Sequence, residues 1–265
     1  MSTPRRTKHG DGDDPGRISS ILPTVRPLRR YFTERVDPLT NLFLVLPLFI
    51  VYHIGVLIQA RRGPDGNLQW VGNGVDFLTG TALSLVHGDV LMYAVITTLV
   101  TIVLMLLILR ARRSAKLHPK LFVPVLVEST VYAVLIAGTI GYVVDALGLG
   151  VLDSEGFIAQ VVGSCGAGLH EELIFRMALF GGSGYLLAKR MRPWAAWLIA
   201  LVTSSFFFSA VHYLGPLGDR FSVSSFAFRA FCGVAFALIY RFRGFALAAW
   251  THALYDIFYF TLKHS

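Results

Sequence analysis

The 265-residue chain is 54% hydrophobic and only 15% charged, with a formal net charge of +8. Soluble domains carry about 25% charged residues, so this composition, with a mean hydropathy of +0.60, excludes that class and indicates a polytopic membrane protein. The positive excess sits in clusters between apolar runs, where lysine and arginine set topology and meet anionic lipid, and it does not suggest nucleic acid.

Residues 1–38 read as a cytosolic and largely disordered tail, rich in basic, acidic and proline residues with no early apolar core. The part around Ile21–Phe32 could lie against a membrane surface. A spanning helix needs about 20 mostly apolar residues. Candidates run over about Leu39–Ala60, Val90–Leu109 and Leu121–Leu147, then Trp194–Tyr213, Phe221–Tyr240 and Phe245–Leu262. A mildly apolar stretch at Phe77–Val86 is too short to span. Phe157–Ala188 is long enough for a full span plus a short re-entrant or interfacial helix, with Gly163, Gly166 and Gly168 as the expected break. The fold class is therefore an all-α transmembrane bundle of about seven spans. Residues 39–119 form its N-terminal helices and 120–265 its core. Basic clusters before the first span and after the second, fourth and sixth fall on one side, which puts the N-terminus in the cytosol. Arg61 and Arg62 break that pattern. Cys165 and Cys232 lie inside apolar runs and read as packing residues.

The informative stretch is His170-Glu171-Glu172-Leu173-Ile174-Phe175-Arg176. Each ionised group in mid-bilayer costs roughly 2.5–3.5 kcal/mol, so partners are required. Glu172 and Arg176 are an i,i+4 pair that can neutralise itself. In an α-helix Glu171 would lie about 140° round from Arg176 and need a partner on another helix. His212 near the end of the fifth span, and His252 with Asp256 on one face of the last, supply candidates. A carboxylate one turn from a histidine can fix its tautomer. Singly, each such residue is more readily a helix-packing or hydrogen-bonding group. Together, on three apolar helices, they point to one shared site.

Glu-Glu-x-x-x-Arg at 171–176, Phe-x-x-x-His at 208–212 and His-x-x-x-Asp at 252–256 resemble, in order and spacing, the motifs of the CPBP intramembrane proteases. That family includes type II CAAX prenyl endopeptidases and bacterial Abi or bacteriocin self-immunity proteins. The resemblance covers about residues 120–262. It implies an endopeptidase acting on a membrane-anchored or lipidated peptide, in an integral membrane protein of a bacterial inner membrane. Glu171 would be the general base and His212 would hold water or protonate the leaving amine. His252 and Asp256 would sit at the oxyanion, and Glu172 and Arg176 would brace the helix. No cofactor is required in this reading. Zinc is the alternative, since two histidines and a carboxylate can bind it, although the His-Glu-x-x-His signature is absent.

Two rivals stand beside it. Gly181-Gly182-Ser183-Gly184 matches the Gly-x-Ser-Gly of rhomboid serine proteases, with Ser183 pairing with His212 or His252. Small residues also simply let helices approach. A non-enzymatic immunity scaffold or proton-coupled transporter would use the same buried acids and histidines as a relay, and Arg229 in the sixth span could serve a pore or a substrate carboxylate.

Overall fold

The computed structural model describes residues 31, 36–62, 68–69, 83, 85–111, 117–146, 156–214 and 219–263. Most of the expected N-terminal tail, of the surface stretch at 21–32 and of the short apolar stretch at 77–86 lies outside the described residues. The chain divides into Met1–Arg35, of which only Tyr31 is described, and a compact unit from Val36 to Ser265.

In the second unit the helices are α1 (Pro38–Gln59), α2 (Val90–Ala111) and α3 (Phe122–Ala146), the last led in by a 3₁₀ turn at Pro119–Leu121. They continue with α4 (Phe157–Gly166), a π-helical segment (Ala167–Gly182), α5 (Ser183–Ala188), α6 (Pro193–Val211), α7 (Val223–Arg243) and α8 (Phe245–Lys263). Between α1 and α2, Arg61–Arg62 (β1) pairs antiparallel with Leu68–Gln69 (β2). Among the described residues, four helical stretches, Pro38–Gln59, Pro119–Thr139, Pro193–Val211 and Val223–Arg243, are long and apolar enough to cross a bilayer. The all-α membrane bundle expected from sequence is the observed architecture, and the helix ends fall within a few residues of those expected.

Local chemistry sets these ends. Asp37 caps α1, its carboxylate accepting from the Leu39 N–H at 2.8 Å, with Pro38 in the first turn where no N–H is needed. Ser222 caps α7 by accepting from the Ser225 N–H. Gly244, at φ +99°, makes the sharp turn from α7 into α8, a conformation open to glycine at little cost.

The expected glycine break between 163 and 168 does not occur. Gly166, Ala167, Gly182 and Ser183 all keep right-handed helical dihedrals, so α4, the π segment and α5 form one continuous rod from 157 to 188. The glycines serve packing instead. A Cβ on Gly168 would lie 2.6 Å from the Ala249 carbonyl oxygen and 2.8 Å from the Ala253 nitrogen. Gly168 thus lets the rod touch the backbone of α8, the small-residue contact that membrane helices favour.

Helix α8 is the hub. It packs on α3, on the rod, on α7 and on α1, and Ala246, Ala248, Ala249 and Ala253 are fully buried along it. The Trp250 Nε1–H donates to the Leu44 carbonyl at 2.8 Å, and the Ala246 N–H donates to Asn41 Oδ1 at 2.9 Å. Glu128 of α3 accepts from Arg243 Nε and Nη2 at 2.7 and 2.8 Å and from the Tyr132 hydroxyl. The large apolar side chains of α2, among them Leu99, Val103 and Leu106, are exposed, as a lipid-facing helix requires.

Candidate active site

The π segment carries the acidic motif. Its i→i+5 hydrogen bonding puts residues 171 and 176 on successive turns, so the 140° separation expected for an α-helix does not apply. The ion pair formed is nevertheless the expected one, Arg176 Nε to Glu172 Oε2 at 3.1 Å, with both side chains buried. The Arg176 guanidinium is enclosed by aromatic rings, 4.1 Å from the Phe208 centroid, 5.4 Å from Phe236 and 5.9 Å from Phe175. Cation–π attraction of this kind reaches about 2 kcal/mol where water is excluded, which makes a buried arginine tolerable here.

Glu172 does more than brace its helix. Its Oε1 accepts from His252 Nδ1 on α8 at 2.8 Å, while His252 Nε2 lies 3.6 Å from Asp256 Oδ2. A continuous polar chain therefore runs Arg176–Glu172–His252–Asp256. The His252 ring stacks on Phe236 at 4.4 Å with an interplanar angle of 18°, which fixes its plane. A carboxylate at each nitrogen and an aromatic wall leave this imidazole one orientation.

Glu171 is also buried, 1% exposed, and faces the end of α6. Its Oε2 is 4.0 Å from His212 Nε2. The opposite nitrogen of His212 lies 2.7 Å from the Phe208 carbonyl, one turn back. A carbonyl only accepts, so Nδ1 carries a proton; when the ring is neutral, Nε2 is the acceptor, and it is the nitrogen nearer Glu171. The Phe208 ring touches both histidines edge-on, at 5.2 Å from His212 and 5.8 Å from His252.

All six residues singled out in the sequence thus meet between the rod, α6 and α8. His170, adjacent in sequence, faces the other way, edge-on to Tyr52 of α1 at 4.9 Å. Two features escaped the sequence reading: the bond from Glu172 to His252 and the wall supplied by Phe236. Phe236 is one of 20 phenylalanines in the chain, and nothing in its local pattern distinguishes it.

Ser183 lies elsewhere. Its hydroxyl donates to the Leu179 carbonyl of its own helix, and the adjoining Gly184 packs on Trp197 near the start of α6. His212 is 15 residues further along α6, about 22 Å at 1.5 Å per residue. A Ser183–His212 pair is therefore not formed. Arg229, weighed as a pore or substrate residue, is bonded within the bundle to Tyr213, Ser225 and Asp219.

Zinc in a catalytic site takes three protein ligands at about 2.0–2.2 Å plus water. Here Glu171 and His212 face each other as a pair, and His252 is turned to Glu172 and Asp256. Among the described residues no three His, Cys, Asp or Glu side chains are grouped as a ligand set.

No curated protein and no solved structure matches the chain. Residues 153–258, from just before α4 to two residues beyond Asp256, match the family model described as type II CAAX prenyl endopeptidase Rce1-like. That span takes in all three motifs, while α1, α2 and α3 lie outside it. Over residues 153–258, then, this integral membrane protein is similar to the Rce1-like domain of type II CAAX prenyl endopeptidases.

Proposed function

We propose that the protein is an intramembrane endopeptidase that hydrolyses a peptide bond in a lipidated or otherwise membrane-anchored substrate, with Glu171 as general base. The observation that carries this reading is the 4.0 Å gap between Glu171 Oε2 and His212 Nε2. That gap is too long for a direct hydrogen bond and suits one water molecule donating to both atoms. Each acceptor takes one hydrogen of that water, which turns an oxygen lone pair outward to a substrate carbonyl. Glu171 removes a proton as the oxygen attacks the carbonyl carbon. The tetrahedral oxyanion forms near His252, whose Nδ1 is held by Glu172 at 2.8 Å and whose Nε2, at 3.6 Å from Asp256 Oδ2, makes no hydrogen bond there and is left to donate to the oxyanion. Donors held in place in a water-poor site stabilise such an oxyanion strongly. The proton passes to the leaving nitrogen directly from Glu171 or through His212, and the C–N bond breaks. Arg176 holds Glu172 in place, a positioning role.

In this reading the N-terminus and the turns around Arg190 and Arg241 face the cytosol, following the positive-inside rule. The enzyme is a glutamate-type hydrolase.

The test uses purified protein in lipid nanodiscs with a lipidated peptide whose products are resolved by mass spectrometry. Wild type cleaves and Glu171→Gln does not, and chelation leaves the rate unchanged. Activity lost on chelation and restored by zinc would overturn the metal-free mechanism. Undiminished cleavage by Glu171→Gln would overturn the assignment of the base.

A further inference from the structure

A second concentration of charge lies away from Glu171, where the end of the rod, the start of α6 and the end of α7 meet. Lys189, Arg190 and Arg192 occupy the turn between α5 and α6, and all three are exposed. The turn is closed by its own backbone: the Arg190 and Met191 N–H groups both donate to the Leu187 carbonyl, at 2.9 and 3.0 Å. A fourth cation arrives from another helix. Arg241, in the last turn of α7, has its guanidinium 4.7 Å from the Trp197 ring centroid. Trp197 is five residues, about 7.5 Å, along α6 from Arg192, and it packs on Gly184 of the rod. Trp197 thus ties Arg241 to the basic turn. Lys189 Nζ is likewise held over an aromatic ring, 4.3 Å from the Tyr185 centroid. Arg243, two residues beyond Arg241, is engaged with Glu128 and takes no part.

Two features identify what this patch meets. No Asp or Glu occurs in residues 173–218 or 220–255, so neither chain segment that builds the patch brings an acid to balance it. Its cations are also interleaved with exposed Tyr185, Met191, Trp194 and Phe242. Exposed aromatic rings at the end of a spanning helix mark the level of the lipid headgroups, and a guanidinium or ammonium there faces phosphate. An acidic protein would complement the charge but not the exposed apolar rings. An anionic lipid complements both, with its phosphate on the cations and its glycerol and upper acyl chains on the rings.

We propose that Lys189, Arg190, Arg192 and Arg241 bind the headgroup phosphate of one anionic phospholipid, which ties the α5–α6 turn to the end of α7. The rod, α6 and α7 also bring Glu171, His212 and Phe236 to the candidate site. His212 lies 15 residues beyond Trp197, about 22 Å along α6. The lipid therefore braces the three supports of that site from their far end. The proposal does not depend on the peptidase reading.

The experiment titrates the full chain in detergent with phosphatidylglycerol or with phosphatidylcholine of the same acyl chains. Bound lipid is counted by native mass spectrometry, and thermal unfolding is followed in parallel. Phosphatidylglycerol binds more tightly and raises the melting temperature more than phosphatidylcholine does. Arg190→Gln combined with Arg192→Gln weakens phosphatidylglycerol binding about 30-fold, and Arg241→Gln alone about 5-fold, from the attraction of each cation to anionic lipid. Arg110→Gln combined with Lys120→Gln removes the same charge from exposed positions elsewhere and leaves binding unchanged. Equal binding of the two lipids, as a patch built for an acidic protein would give, overturns the proposal. So does an equal loss in the Arg110 and Lys120 variant, which would mean that net charge alone attracts the lipid. Displacement of the lipid by millimolar inorganic phosphate would overturn it in favour of a site for a free anion. If Arg241→Gln does not fold, the variant at Arg190 and Arg192, whose side chains are exposed, still decides.

Discussion

Replacing Gly168 with alanine tests how the site is assembled. The added methyl would sit 2.6 Å from the Ala249 carbonyl oxygen, 2.8 Å from the Ala253 nitrogen and 2.8 Å from the Ala253 methyl. Ordinary contact begins at 3.4 Å, and two of the three neighbours are backbone that cannot rotate away. The rod and α8 must therefore part locally by about 0.8 Å. Glu172 stands four residues along the rod, and its 2.8 Å bond to His252 crosses this same interface. Stretched by that amount, the bond exceeds hydrogen-bond length. Overpacking of this kind costs about 1–3 kcal/mol, and loss of a charged hydrogen bond about 1.5–3 kcal/mol. Misplacement of a catalytic group by about 1 Å can lower the rate about 100-fold. The assays are thermal unfolding in detergent and peptide cleavage in nanodiscs. Gly138→Ala is the control, since a Cβ there meets nothing within 4 Å. Gly168→Ala loses stability and most of its activity, whereas Gly138→Ala keeps both. Wild-type activity and melting in Gly168→Ala would refute the claim that this contact sets the Glu172–His252 geometry.

The two adjacent glutamates behave differently. Glu171→Gln keeps the wild-type melting temperature and loses about 100- to 10,000-fold in rate, the usual range for a general base. Glu172→Ala strands buried Arg176 and loses about 3–5 kcal/mol of stability, seen as lower melting with lost activity. Phe236→Leu removes the ring stacked on His252 and one wall around Arg176, costing about 1–2 kcal/mol; unchanged melting would refute that role. Arg243→Ala leaves Glu128, a carboxylate 9% exposed, without its bidentate partner and lowers thermal stability by about 3 kcal/mol. The nanodisc cleavage rate at a temperature where the variant stays folded is unchanged, because this pair lies away from His212 and His252.

The spans were legible because a bilayer imposes a length and an apolar composition that few sequences satisfy by chance. Pro38, Pro193, Ser222 and Gly244 then mark the ends with ordinary capping chemistry. The candidate site was legible for a related reason: Glu171, Glu172, Arg176, His212, His252 and Asp256 are costly in apolar helices, so their positions stand out. The π geometry of 167–182 was not legible. The segment packs on α8 and α6, and no local residue preference in the sequence marks its register. The glycines at 163, 166 and 168 suggested a break because glycine weakens an isolated helix. Here the close approach at Gly168 outweighs that weakness. The bond between Glu172 and His252 joins residues 80 apart, and single-helix periodicity carries no information about which of two neighbouring glutamates faces which histidine.

The most direct measurement is a comparison of membrane-peptide termini, by mass spectrometry, in cells carrying wild type, Glu171→Gln or Ser183→Ala. The glutamate mechanism predicts a peptide cut by wild type and by Ser183→Ala that stays whole with Glu171→Gln. Identical cleavage patterns for wild type and Glu171→Gln would contradict it.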